Sequence, residues 1–167
     1  EAIDQTRGWF YTLHAIGALL GKGKAFRNVV CLGHMRDVEG KKMSKSVGNV
    51  IDPWVMMDKY GADALRFWMY SVNEAGESKN FDEKTVDEVI KKVFNLASNV
   101  AVFYNTYAAK DVRAVATSEN VLDRWIVMRL NELTESITSS LDKFVLLEPT
   151  RAIRDFVADL SQWYLRR

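Results

Sequence analysis

The spacing of apolar positions changes character along the chain. Between residues 4 and 20, Trp9, Leu13, Ile16, Leu19 and Leu20 recur at helical spacing, with Asp4 placed as an N-cap and Gly21 and Gly23 as stops. Asn28-Val29-Val30-Cys31-Leu32 is a short β-branched run closed by Gly33 and predicts a buried strand. Met35 to Asn49, rich in Gly, Lys, Ser and Asp, carries no period and is expected to be an exposed, mobile loop. Asp52-Pro53 supplies an N-cap and a proline at the first helical position for a short helix over Trp54 to Lys59. Ala62 to Val72 predicts another helix, and Asn73 to Asn80 a polar connection.

From Phe81 onward only helical periods remain. Asn80-x-x-Glu83 has the form of a capping box, and Val86, Val89, Ile90, Val93, Phe94, Ala97, Val100, Tyr104 and Tyr107 lay out one stripe. A polar segment, Lys110 to Asn120, ends it. Leu122, Ile126, Leu130, Leu133, Ile137, Leu141 and Phe144 form a second stripe, and after Pro149 the set Ile153, Phe156, Val157, Leu160 and Tyr164 forms a third. Long helices with one apolar face each are expected to close an antiparallel bundle. The fold class is therefore mainly α with a small α/β part. One helix and one strand cannot complete a sheet, because a strand needs neighbours for its backbone groups, so the missing strands are expected before Glu1.

Composition narrows the picture without naming a function. The 167 residues are 48% hydrophobic and 27% charged, as in soluble globular proteins, and Lys+Arg 23 against Asp+Glu 22 leaves +1. There is no global basic field, so any nucleic-acid contact must be local. One cysteine, Cys31, and two histidines, His14 and His34, exclude a disulfide framework and offer no metal site. Cys31 is most simply a small core residue, and a reducing, cytoplasmic compartment fits this usage. No run reaches the roughly 18 apolar residues that span a bilayer.

Chemistry concentrates in Gly40-Lys41-Lys42-Met43-Ser44-Lys45-Ser46-Val47-Gly48-Asn49. Ammonium groups on flexible stems, with hydroxyls and backbone N–H groups, can gather around a polyphosphate and follow negative charge as it builds on a leaving group. Composition alone favours a solvated basic loop over this reading. At the start of the chain, positions 1, 4, 5 and 9 would share one face of a helix. Glu1, Asp4, Gln5 and Trp9 suit a pocket wall better than a core: two acceptors, an amide and an apolar plane. An N-terminal capping cluster beside an ordinary buried Trp is the alternative.

Lys42-Met43-Ser44-Lys45-Ser46 resembles, letter for letter, the KMSKS loop of class I aminoacyl-tRNA synthetases. Gly48-Asn49-Val50-Ile51-Asp52-Pro53 and Tyr60-Gly61-Ala62-Asp63-Ala64-Leu65-Arg66 look like the continuation in the branch that activates isoleucine, valine and leucine. Glu1-x-x-Asp4-Gln5-Thr6-Arg7-Gly8-Trp9-Phe10 is similar to the adenylate-pocket segment of the isoleucine-activating members. Leu122 to Ile126 and Leu160 to Arg167 look like helices of their anticodon-binding domain. The resemblance implies the end of a Rossmann-type catalytic domain over 1–51, junction helices over 52–80 and the start of a helical anticodon-binding domain over 81–167. It further implies Lys45 and Lys42 on the leaving phosphates, Ser44 and Ser46 shaping the loop, Glu1, Asp4 and Gln5 on the adenylate, and Trp9 at the isoleucine side chain. ATP with Mg2+, isoleucine and the tRNA for isoleucine are the implied substrates and partners, acting with a monomeric enzyme away from membranes.

Two departures stand out: Ala2 replaces the family's usual glycine, and Leu32-Gly33 occupies the place of a His-Gly pair, with His34 following. His34 could contact ATP or be structural, and the role of His14 is more plausibly structural. Trp125, Trp163 and Tyr164 are expected in the core, and Arg124, Arg151, Arg154, Arg166 and Arg167 are candidates for tRNA phosphates or a solvated face. No His-Ile-Gly-His-type motif occurs in the chain, so it is expected to be inactive alone. A tRNA-binding module without chemistry and a valine-activating enzyme are the rival readings, the second disfavoured by Gln5 and Trp9.

Overall fold

The structure is a computed structural model and describes residues 1–108 and 118–167. Among these residues it is mainly helical with a two-stranded sheet. The chain divides into two compact units, Glu1–Ile51 with Val72–Asp82 and Asp52–Ser71 with Glu83–Arg167. The stretch 52–80 is thus shared, its helices in the second unit and its polar connection in the first. The part of the polar segment from Lys110 that precedes Ser118 lies outside the described residues.

In the first unit, the helix expected over 4–20 is two pieces: a 3-10 turn, Ile3–Arg7, and α1, Trp9–Leu19. Gly8 breaks them apart with φ −125° and ψ −106°. The side-chain oxygen of Gln5 accepts from the Trp9 N–H at 3.0 Å, so it caps α1 from the preceding turn. A Cβ on Gly8 would lie 2.8 Å from that oxygen.

The buried strand expected over 28–32 does not form. Leu32 makes a single parallel bridge to Ala2, through Leu32 N–H to Glu1 O at 2.8 Å and Ile3 N–H to Leu32 O at 2.9 Å. Without further neighbours the run has no ladder to extend, and Val29 and Leu32 are exposed. Strand pairing falls later, between β1 (Met35–Arg36) and β2 (Lys79–Asn80), which run parallel with Met35 opposite Lys79 and Arg36 opposite Asn80. Gly33 is the tight point of this unit: a Cβ there would sit 2.2 Å from the Glu77 carbonyl oxygen, so only glycine permits the approach. Lys79 is buried, its ammonium donating to the Asn73 side chain and to the carbonyls of Asn73 and Glu74. Desolvation pushes its pKa down, while these carbonyls fasten the 73–79 loop.

The second unit follows the helical pattern closely. Asp52 caps α2 (Pro53–Tyr60) by accepting from Trp54 N–H at 2.8 Å, and α3 runs from Ala62 to Ser71. α4 (Glu83–Val89), a π-helical turn (Ile90–Phe94) and α5 (Asn95–Tyr107) form one uninterrupted run. The expected capping box is absent, because Asn80 lies in β2 and the Glu83 carboxylate accepts from Lys59 and Tyr60 instead. Asn120 caps α6 (Val121–Asp142), and α7 (Leu147–Ala158) leads into a second π-helical turn, Asp159–Tyr164. Pro149 stands inside the first turn of α7, where a missing N–H costs little.

α3 packs on α4 and α7, and α6 packs on α7. Their core holds Trp68 and Val86, 1% and 0% exposed, with Ala64, Leu65, Val93, Ile126 and Val157. The Trp68 indole N–H donates to the Thr85 hydroxyl at 2.7 Å. The stripe that continues into α5 leaves the core after the π turn, with Tyr104 and Tyr107 exposed, because a wider turn rotates every later position out of phase. Among the described residues no helix is long and apolar enough to cross a membrane.

Trp68→Ala is expected to destabilise the chain by about 3–5 kcal/mol, measured by denaturant unfolding. Trp68→Phe should cost less, chiefly through the indole N–H lost to Thr85. An unfolding midpoint unmoved by Trp68→Ala would contradict this core.

Candidate functional site

The segment 35–49, expected to lack regular structure, is a short hairpin with a turn at its end. Arg36 and Lys42 form an antiparallel bridge, Asp37 N–H donates to Lys41 O at 2.9 Å, and Gly40 N–H to Asp37 O at 2.9 Å. Gly40, at φ +79°, takes the left-handed position that this tight reversal requires. One oxygen of Asp37 accepts from the N–H groups of Glu39 at 3.1 Å and Lys41 at 2.8 Å. The other accepts from the Asn49 amide at 2.8 Å. A second turn follows, with Val47 N–H and Gly48 N–H both donating to Ser44 O, at 3.2 and 3.1 Å. Asn49 closes it by accepting from Ser44 N–H at 2.8 Å and donating to Lys42 O at 3.3 Å.

On this frame the three lysines differ. Lys41 donates to Glu39 at 2.6 Å and is neutralised. Lys42 and Lys45 are exposed, and among the described residues neither ammonium has an ion-pair or hydrogen-bond partner. The hydroxyls of Ser44 and Ser46 lie 2.7 Å apart and bond to one another across the turn. Two free cations and a pair of hydroxyls on a fixed turn are suited to an external polyanion. Sequence reasoning singled out Lys42, Ser44, Lys45 and Ser46 but passed over Asp37 and Asn49, which set their backbone. The signal available for Asp37 was an aspartate three residues before a glycine, a turn pattern.

Glu1, Asp4, Gln5 and Trp9 lie on two short segments rather than one helix face, since Gly8 interrupts them. The carboxylates of Glu1 and Asp4 are exposed and engaged by no other described residue. Gln5 uses its oxygen on Trp9 N–H, so its amide nitrogen remains as a donor. Trp9 is 54% exposed. Ala2 forms the bridge to Leu32. His34 is half-buried and accepts through its carbonyl from Lys79 N–H at 2.9 Å.

In the helical unit, an open groove along α6 is lined by Asp123, Arg124, Val127, Asn131, Glu135 and Tyr164 among others. Its excess of carboxylates suits phosphate poorly. The Tyr164 hydroxyl donates to Asp123 at 2.8 Å, which pushes the tyrosine pKa up, while the Ser118 hydroxyl and then Tyr164 lower that of Asp123. Arg151 donates to Ser71 O, Arg154 pairs with Asp155, and Arg167 stacks over Trp163 at 4.3 Å, so these arginines already have partners. Trp163, expected in the core, is exposed. Among the described residues no group of three or more His, Cys, Asp or Glu could hold a metal ion.

Two family models match separate stretches of the chain. Residues 1–82 match tRNA synthetases class I (I, L, M and V), and residues 123–167 match the anticodon-binding domain of tRNA ligase. The chain belongs to the class I tRNA synthetases. Within that class, relatives that match along its whole length include isoleucine–tRNA ligases, 44% identical in Deinococcus radiodurans and 42% identical in Thermus thermophilus. Each match covers 100% of this chain but 16% of the Deinococcus protein and 17% of the Thermus protein, so the chain spans about a sixth of their length. Its sequence is similar over its whole length to isoleucine–tRNA ligases, and the valine-activating alternative is not favoured. The fold recurs in an Agrobacterium radiobacter leucyl-tRNA synthetase ternary complex, with TM-score 0.71 at 23% identity over 92% of this chain and 20% of that one. It recurs also in Mycobacterium tuberculosis methionyl-tRNA synthetase in complex with methionyl-adenylate, with TM-score 0.69 at 21% identity over 81% of this chain and 27% of that one.

Hydrogen bonds to Asp37, from the Asn49 amide above all, hold its carboxyl below the ordinary aspartate range. Because the folded pKa is the lower one, the contribution of Asp37 is complete above the unfolded value and is lost as pH falls through the folded one. An NMR titration should show the Glu39 and Lys41 amides leaving their bonded positions only in that acidic window. Amides that shift near neutrality would rule the arrangement out.

Proposed function

We propose that this chain supplies the leaving-group side of the activation reaction in an isoleucine–tRNA ligase. The reaction joins isoleucine to ATP, giving isoleucyl-adenylate and pyrophosphate, and then passes the acyl group to the terminal adenosine of the tRNA for isoleucine. The observation that carries this reading is the pair of ammonium groups, Lys42 and Lys45, that no described residue engages, on a turn fixed by Asp37 and Asn49. The isoleucine carboxylate oxygen attacks the α-phosphorus, and the bond to the bridging oxygen of pyrophosphate breaks with its electron pair. No protein nucleophile is required. Charge accumulates on the departing phosphates, where Lys45 first and Lys42 second stabilise it more than they stabilise bound ATP.

Glu1 and Asp4 accept from the ribose or the α-ammonium of the adenylate. Gln5 donates through its free amide nitrogen, and Trp9 offers its exposed face to the branched side chain. Mg2+ enters with ATP as part of that substrate. Residues 1–51 belong on this reading to a Rossmann-type catalytic domain, 52–80 to a junction and 81–167 to an antiparallel anticodon-binding bundle. A monomeric, cytoplasmic enzyme is the setting proposed.

In the ligase that carries this segment, Lys45→Ala should lower the rate of ATP–pyrophosphate exchange by roughly 10²–10³-fold and leave the isoleucine KM nearly unchanged. Lys41→Ala should do far less, its charge being already matched by Glu39. Exchange at the parent rate in Lys45→Ala would overturn the assignment. The chain by itself should support no exchange, which an assay of the purified chain checks.

A further inference from the structure

We propose that Asn49 is a positioning residue for the activation reaction: its side-chain amide fixes the backbone from which Lys42 and Lys45 reach the leaving phosphates. The proposal rests on the reading of that loop given above. Three hydrogen bonds converge on this one amide. Its oxygen accepts from Ser44 N–H at 2.8 Å, and its nitrogen donates to the Asp37 carboxylate at 2.8 Å and to Lys42 O at 3.3 Å. The bonds to Ser44 and Lys42 bracket Met43, so the path between the two lysines is held at both ends. Lys45 follows directly and opens the turn that Val47 and Gly48 close onto Ser44 O. The bond to Asp37 ties that turn to the hairpin, because the same carboxylate already holds the amides of Glu39 and Lys41.

Nothing else described performs this task. The ammonium groups of Lys42 and Lys45 bind no neighbour and cannot hold the loop themselves. The Ser44 and Ser46 hydroxyls bond only to each other within the turn. Gly48, at φ +74° with open space where a Cβ would point, gives the turn its reversal but no anchor. Asn49 is half-buried, and its amide reaches both the hairpin, at Asp37, and the turn, at Ser44. Its chemistry is specific as well: an acceptor is needed toward Ser44 and donors toward Asp37 and Lys42, a combination that an amide supplies and a carboxylate of the same shape does not. A lysine on a long flexible stem meets the transition state efficiently only when its Cα is fixed, and misplacement by about 1 Å can cost about a hundredfold in rate.

The test uses the ligase that carries this segment, with pyrophosphate exchange and isoleucine KM measured for four variants. Lys45→Ala is the control for the functional reading. Asn49→Ala and the isosteric Asn49→Asp should each lower kcat for exchange by roughly ten- to a hundredfold with isoleucine KM unchanged. The exchanged pair, Asp37→Asn with Asn49→Asp, restores one amide donor facing one carboxylate and keeps an acceptor for Ser44 N–H. It should recover part of the loss seen in Asn49→Asp alone. In the chain itself, hydrogen exchange of the Ser44 amide should accelerate in Asn49→Ala while core amides near Trp68 stay protected. If Lys45→Ala retains full exchange activity, the reading of the loop fails, and the positioning role fails with it. If Lys45→Ala is impaired but Asn49→Ala is not, only the positioning role fails. Loss of isoleucine binding or of core protection in both Asn49 variants would likewise overturn it, by showing a general structural role.

Discussion

The carboxylate of Asp37 is the constraint on which the loop depends. It organises two reversals of the chain at once, taking the Glu39 and Lys41 amides of the hairpin on one oxygen and the Asn49 amide on the other. Each bond is individually modest, since a hydrogen bond near solvent contributes about 1 kcal/mol net. Their value lies in geometry: they replace the regular ladder that this polar, glycine-containing stretch cannot build. The short β1–β2 pairing and the close approach of Gly33 to Glu77 place the foot of this hairpin, so the loop springs from fixed backbone.

Charge is distributed along the loop with the same economy. Lys41 is matched by Glu39 and adds little field beyond its own position. Lys42 and Lys45 are left without partners, which costs nothing while they are exposed to water. The near-neutral balance of the whole chain hides this arrangement, because it averages these lysines with charges that pair among themselves in the helical unit, as in Arg129 with Asp159 and Lys92 with Glu88. The helical unit has a separate source of stability in the apolar core around Trp68 and Val86, so the loop can be shaped by polar contacts without carrying the fold.

What the sequence made legible follows the strength of each physical signal. Caps and periods located α2, α6 and α7 well, because Asp52 and the stripes through Ile126 and Val157 act locally. The run 28–32 was misleading: β-branched residues favour a strand only where neighbours exist to pair with it, and here Ala2 alone reaches Leu32. The split at Gly8 was hidden because a helical period survives a break that a side chain caps, as Gln5 does for Trp9. The π turns left no pattern to read beforehand, and α5, which follows the first of them, holds no buried residue. The KMSKS residues were legible as a string, whereas Asp37 and Asn49 were not, since their importance lies in bonds spanning twelve residues.

On the function proposed, the division between free and engaged groups is what would let such a site accelerate rather than merely bind. A cation already paired with a fixed carboxylate must break that pair before it meets a phosphate, and the cost falls in the transition state. Lys42 and Lys45 have no such pair to break, while the backbone that carries them has been ordered in advance by Asp37 and Asn49. The entropy of loop ordering is therefore met during folding, and on that proposal the attraction between ammonium and departing phosphate would remain available at the moment charge develops. Gln5 follows the same logic on the other segment: its oxygen is committed to the backbone of α1, which orients the amide nitrogen before any ligand arrives.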